Sequence, residues 1–355
     1  MRKWIGLGLI LGGILCAGGG GVAYGQSANV QNKAVEAKPA AAGPAAKTAG
    51  NSLFSLLPST DLIATVDAGR LVNELLPKLA TLSVGGVDEM AKQITEFTQK
   101  TGIDPTRIQN AVLAMDLKSA QAQGVVLLQG IDPDAKQIEA AMQAFKSEYK
   151  AVDYKGRMIY TILAKVNAPT AGPVSVKTDE MAVAPLGNQM MAFGDRAMIQ
   201  KVIDVQTGTE KNLVSPRMIA ALEETRASAL VRFALNIPEE LRTQAVDQGD
   251  LFKSVASIKM ILGTFDVASD FSLSLDTIIR TATQNEAGEL ETGLKGLLGL
   301  IRGIFGGADP STDFIGQLLD QIKIGSKLND VSLSISLPRA IMDQLSKKAP
   351  PAEKK

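Results

Sequence analysis

Two hydrophobic periods alternate along the chain. Asp61 to Asp67 (DLIATVD) has the length and β-branched content of a strand, and GRLVNELLPKLA after it places Leu71, Leu75, Leu76 and Leu79 on one helical face. Pro77 is expected to kink or end that helix. Val87 to Thr101 reads as a second amphipathic helix. Gly102-Ile103-Asp104-Pro105 and Gly130-Ile131-Asp132-Pro133 each read as an Asp cap with Pro at the first helical position. Strands are predicted over Ala111–Leu117 and Gly124–Gln129, and a helix over Asp134–Phe145. Tyr154-Lys155-Gly156 is a predicted turn between strands Ala151–Asp153 and Arg157–Leu163, and polar Ala164–Asp179 reads as a loop. Met181 to Ile203 (MAVAPLGNQMMAFGDRAMIQKVI) predicts a hairpin turning at Gly187-Asn188, with Pro185 at an edge or a bulge. Asp195 then caps a helix whose apolar positions are Ala197, Met198, Ile199, Val202 and Ile203.

The second half follows the same plan. Arg226–Ile237 predicts a strand, Pro238-Glu239-Glu240-Leu241 a helix start, and Ser257–Val267 with Asp270–Thr283 a central strand pair. Glu289–Phe305 and Thr312–Ile322 predict helices separated by Gly306-Gly307-Ala308-Asp309-Pro310. A closing hairpin turns at Asn329-Asp330, Val331, Leu333, Ile335 and Leu337 alternate as a half-buried strand, and Pro338 opens a last helix. The expected fold class is α+β: two similar modules, each a mostly antiparallel sheet with helices packed on one face. The expected bounds are residues 53–206 and 212–347.

Residues 1–25 differ in kind. Arg2 and Lys3 precede an apolar run from Trp4 to Cys16, and Ala23-Tyr24-Gly25 supplies small residues at a signal-peptidase position. This predicts a cleaved signal peptide, with cleavage between Gly25 and Gln26 and export to the periplasm or outside. The alternative is a membrane anchor over residues 4–24, which carry no charge. A lipoprotein is disfavoured by the bulky Leu15 before Cys16. Residues 26–50 are rich in Ala, Pro and Lys and read as a flexible linker, and residues 348–355 as a disordered tail.

Composition removes much chemistry. In 355 residues there is no His, the one Cys is Cys16 and the one Trp is Trp4. A mature chain without the leader therefore has no His-based triad, Cys nucleophile or Cys/His zinc site. No cofactor, metal site or catalytic residue is assigned. Lys plus Arg and Asp plus Glu are 37 each, and without a basic block no nucleic-acid partner is expected.

The succession LPSTDLIATVD, TGIDPTRIQNAVLAMDL, GVVLLQGIDPDAKQIEAAM, YKGRMIY and MAFGDRAMIQKVID, within residues 57–204, resembles secreted bacterial proteins of the domain-of-unknown-function type. The resemblance implies an envelope location and this general fold. It implies no activity and assigns no site residue.

Several segments invite functional readings. Asp132-Pro133-Asp134 invites calcium, but the ligand spacing of a calcium loop is missing. Ser147-Glu148-Tyr149-Lys150 matches Ser-x-x-Lys without its companion motifs. Met181, Met190, Met191 and Met198 could line an adaptable pocket. The segment GLKGLLGLIRGIFGG, Gly293 to Gly307, is the richest. Leu294, Leu297, Leu298, Ile301, Ile304 and Phe305 form an apolar stripe. Gly299 and Gly303, four apart, suggest a closely approaching backbone. The readings are a core helix, a membrane-surface helix, a partner helix or a wall of an apolar pocket. The face assigned to an apolar ligand or partner is Leu294, Leu297, Leu298, Ile301 and Phe305.

The function expected from these features is that of a secreted or periplasmic, non-enzymatic structural or interaction protein. Its partner would be an unknown envelope protein or an apolar small molecule. The alternatives are a carrier of a small apolar or lipid-like ligand, and a hydrolase using carboxylate or Ser/Lys chemistry.

Overall fold

The computed structural model describes residues 53–81, 87–118, 122–144, 147–163, 166–167, 177–178, 181–212, 214–246, 256–305 and 313–341. The signal, anchor, linker and tail segments lie outside them. The chain divides into two compact units between Pro216 and Arg217. Both are α+β.

The first unit opens with β1 (Leu62–Asp67) and a helical run, α1, made of Ala68–Arg70, a π-helical turn at Leu71–Leu75, and Leu76–Thr81. Pro77 does not end this run. The Leu76 amide bonds five residues back to Leu71, so the register has already changed before the missing Pro77 donor is reached. After α2 (Val87–Thr101), the Asp104 carboxylate accepts from the Thr106 amide at 2.9 Å and caps a single 3₁₀ turn, Pro105–Arg107. Then come β2 (Asn110–Asp116), β3 (Gln123–Gln129) and α3 (Ala135–Ala144).

The second Gly-Ile-Asp-Pro behaves differently from the first. The cap of α3 is Asp134 rather than Asp132. Its Oδ1 accepts from the Gln137 amide at 2.8 Å, while Gln137 Oε1 accepts from the Asp134 amide at 3.0 Å. Asp134 and Gln137 thus form a reciprocal capping box, and Pro133 lies outside the helix.

β4 (Tyr149–Tyr154) and β5 (Arg157–Ile162) flank a turn in which Lys155 and Gly156 have φ of 54° and 78°, the pair of positive angles a two-residue type I′ hairpin needs. Within the expected loop, Val166–Asn167 (β6) and Lys177–Thr178 (β7) pair as a short ribbon. β8 (Met181–Gly187), β9 (Met190–Asp195) and α4 (Arg196–Gln206) close the unit. The β8–β9 turn is Asn188-Gln189, with φ of 53° and 57°, not Gly187-Asn188. Gly187 instead absorbs the bulge that follows Pro185. Met198, Ile199, Val202 and Ile203 of α4 are wholly buried and Ala197 is exposed. Across α3 and the sheet, Ile138, Met142, Tyr160 and Val183 form one buried cluster, against which Tyr149, Ile162, Met191 and Phe193 pack.

Asp195 occupies the cap position of α4, yet its side chain makes no cap bond. Its Oδ2 accepts from the Gly124 amide at 2.6 Å instead, tying β9 to β3. Burial raises its pKa above the ordinary 3.8, partly offset by that hydrogen bond. A carboxyl whose folded pKa is raised is more protonated in the native state, so its contribution favours the fold at low pH. That contribution is lost as pH climbs from the ordinary value through the raised one. Asp195→Asn keeps an acceptor for Gly124 and removes the titration. In urea melts across acid pH, the variant's stability relative to wild type should increase as pH rises through that interval. A constant difference would show that Asp195 does not titrate with folding.

The second unit begins with α5 (Pro216–Glu224), then β10 (Val231–Asn236), α6 (Glu239–Val246), β11 (Met260–Val267) and β12 (Leu273–Arg280). The strands are shorter than the apolar runs suggested, since residues 226–230 form a turn. Helix α7 (Gln284–Phe305) starts earlier than expected. Glu286 Oε2 accepts from the Thr283 amide at 2.9 Å, and Thr283 Oγ1 from the Glu286 amide at 3.3 Å. That Ser/Thr-x-x-Glu box was present in the sequence and marks the true start. α8 (Asp313–Asp320) is followed by β13 (Ile322–Lys327) and β14 (Asp330–Leu337), so Ile322 belongs to a strand rather than to the helix predicted through it.

Within each unit the strands pair antiparallel. In the first unit the order is β1-β2-β3-β9-β8-β5-β4, and in the second β10-β11-β12-β14-β13. The inner pattern is shared: three strands in sequence order, then the second strand of a hairpin, then the first.

Arg280 locks the closing hairpin of the second unit. Its Nε and Nη2 donate to Asp330 Oδ1 and Oδ2 at 2.8 and 2.9 Å, and its Nη1 and Nη2 to Glu224 Oε1 and Oε2 at 3.3 and 2.8 Å. Asp330 bound side-on and Glu224 bound end-on fix the guanidinium plane and hold α5 to the sheet. Both hydrogen-bond partners raise the Arg280 pKa, so it stays charged throughout.

Candidate functional site

Helix α7 has two unlike halves. Its first three turns carry Ala287, Leu290 and Leu294 onto the sheet, in a cluster with Ile258 and Val331 and against Ile261, Ile279 and Ile324. Beyond Gly293, apolar residues continue on the covered side with the half-buried Leu298 and Ile301. Leu297 and Ile304, seven and fourteen residues after Leu290, lie on nearly the same bearing as it, and Leu300 lies on their flank, so the exposed residues belong to the same broad apolar face. Leu297, Leu300 and Ile304 are 43, 61 and 63% exposed. Their spacing of three and four keeps them on one side. Gly293, Gly296, Gly299 and Gly303 lie around them, and a Cβ added at any of the four would meet nothing within 4 Å.

The stripe read in the sequence is one face, unevenly covered. Leu294 packs against the core cluster, Leu298 and Ile301 are half-buried, and Leu297 is exposed. The Phe305 side chain lies outside the described residues. Leu300 was absent from the expected face and is among the most exposed large apolar residues described. Among the described residues the α7 glycines meet no closely approaching backbone. The large apolar residues share one broad face, with Thr292, Lys295, Arg302 and glycines on the rest of the circumference, and that face is packed over the first three turns and partly exposed beyond them.

The concavity beside the helix is lined by Gln284, Asn285, Gly288, Glu289 and Thr292, a polar set that offers no apolar wall. The methionines do not gather around a ligand space either: Met198 is in the core of the first unit and Met191 packs in its buried cluster. No group of three or more His, Cys, Asp or Glu among the described residues is arranged to hold a metal ion. None of the described helices is long and apolar enough to cross a membrane.

The ionisable clusters are structural in character. Ser147 precedes β4 and Lys150 lies within it, so Ser-x-x-Lys does not sit on a helical turn, where residues three apart come together. The densest group is Tyr154, Lys155 and Asp204. The Tyr154 hydroxyl donates to both carboxylate oxygens of Asp204, at 3.0 and 3.1 Å, and Lys155 Nζ donates to Oδ1 at 2.5 Å. Burial and then Asp204 raise the Tyr154 pKa, and the hydrogen bond to Asp204 raises that of Lys155. The phenol is held protonated and the ammonium charged, the reverse of what a general base at neutral pH requires. This trio ties the β4–β5 turn to α4.

No family model matches the chain, and no curated protein matches it in sequence. Among solved structures, crystal form III of TP0453 is similar at a TM-score of 0.42 and 10% identity, covering 83% of this chain and 97% of that one. Crystal form I of TP0453 gives 0.42 and 8%, covering 85% and 99%. Function is therefore read from the chain's own surface.

Proposed function

We propose that this is a non-enzymatic envelope protein, acting as an interaction or structural module through the outward side of the second half of α7. The observation that carries the reading is the exposure of Leu297, Leu300 and Ile304 on the apolar face of a helix whose first three turns pack that same face onto the sheet. Apolar surface left uncovered beside a well-formed core marks a place where something else binds. The apolar run from Trp4 and the Ala/Pro linker support delivery to the envelope, either by cleavage between Gly25 and Gln26 or by anchoring through residues 4–24. A bound carrier ligand is a weaker reading, because the concavity beside the helix is polar.

A photo-crosslinking side chain at position 300, in cells that make the protein, should form an adduct with an envelope component. The same group at Glu223, exposed on α5, should not. Absence of any adduct at position 300, or turnover of an envelope substrate by the purified chain, would overturn the proposal.

A further inference from the structure

We draw no further inference here: the strongest candidate, the exposed apolar strip of Leu297, Leu300 and Ile304 along the second half of α7, belongs to the contact face already described, and nothing in the structure shows what covers it.

Discussion

Gly130→Ala should destabilise the first unit by about 3 kcal/mol or more, whereas Gly102→Ala should cost only about 1 kcal/mol. The two glycines open identical Gly-Ile-Asp-Pro segments, so sequence treats them alike. At Gly130, φ is 111° and an added Cβ would stand 2.1 Å from the Arg107 carbonyl oxygen and 3.0 Å from the Gln109 amide nitrogen. Both obstacles are backbone. Moving them means moving the 3₁₀ turn Pro105–Arg107, or breaking the bond from the Gly130 amide to the Gln189 carbonyl at 2.8 Å. At Gly102, φ is 71° and the nearest atom is Gln137 Nε2 at 3.0 Å, a side-chain end whose shift would strain its bonds to the Gly102 carbonyl at 2.8 Å and the Asp134 amide at 3.0 Å but need move no backbone. Urea denaturation of the two variants checks this. Equal, small losses would mean that the turn at Arg107 yields easily and that the approach at Gly130 is not tight.

Leu290→Ala should cost about 2–5 kcal/mol, and Leu300→Ala, ten residues on in the same helix, no more than about 0.5 kcal/mol. Leu290 is 3% exposed and packs with Ala287, Ile258 and Val331, so truncation leaves a cavity that the strands beneath can only partly close. Leu300 is 61% exposed, so truncation removes little contact. Thermal melts, following the transition of the second unit, measure the difference. A large loss at Leu300 would mean that its side is covered in the folded protein, and would remove the basis for a contact face.

The element types were legible because they depend on local chemistry. Alternation gave the strands of the two large sheet segments but not the β6–β7 ribbon inside the expected loop, a period near 3.6 gave α2, α3, α4 and α7 but not α5, and the Asp104-Pro105 pair gave its cap. The details that shifted were those in which a neighbour competed for a residue. In the β13–β14 hairpin the turn is Leu328-Asn329 rather than Asn329-Asp330, and Leu328 takes a φ of 55°. The register follows from Asp330, which is held in β14 by Arg280 on β12 and so is not free to turn. In the β8–β9 hairpin, the bulge at Pro185 and Gly187 moved the turn one residue on. Asp195 was a sound cap by type, but its carboxylate was taken by Gly124, 71 residues earlier.

The candidate site shows the same division. The sequence alone established that α7 is apolar, rich in glycine and without acids beyond Glu291, because these are properties of residue type and spacing. It could not say how far along the helix that apolar face is covered, because covering depends on where the packed elements end and not on residue type. Only the tertiary structure decided this. The sheet of the second unit packs on Ala287, Leu290 and Leu294, and farther along the same face Leu297, Leu300 and Ile304 are exposed.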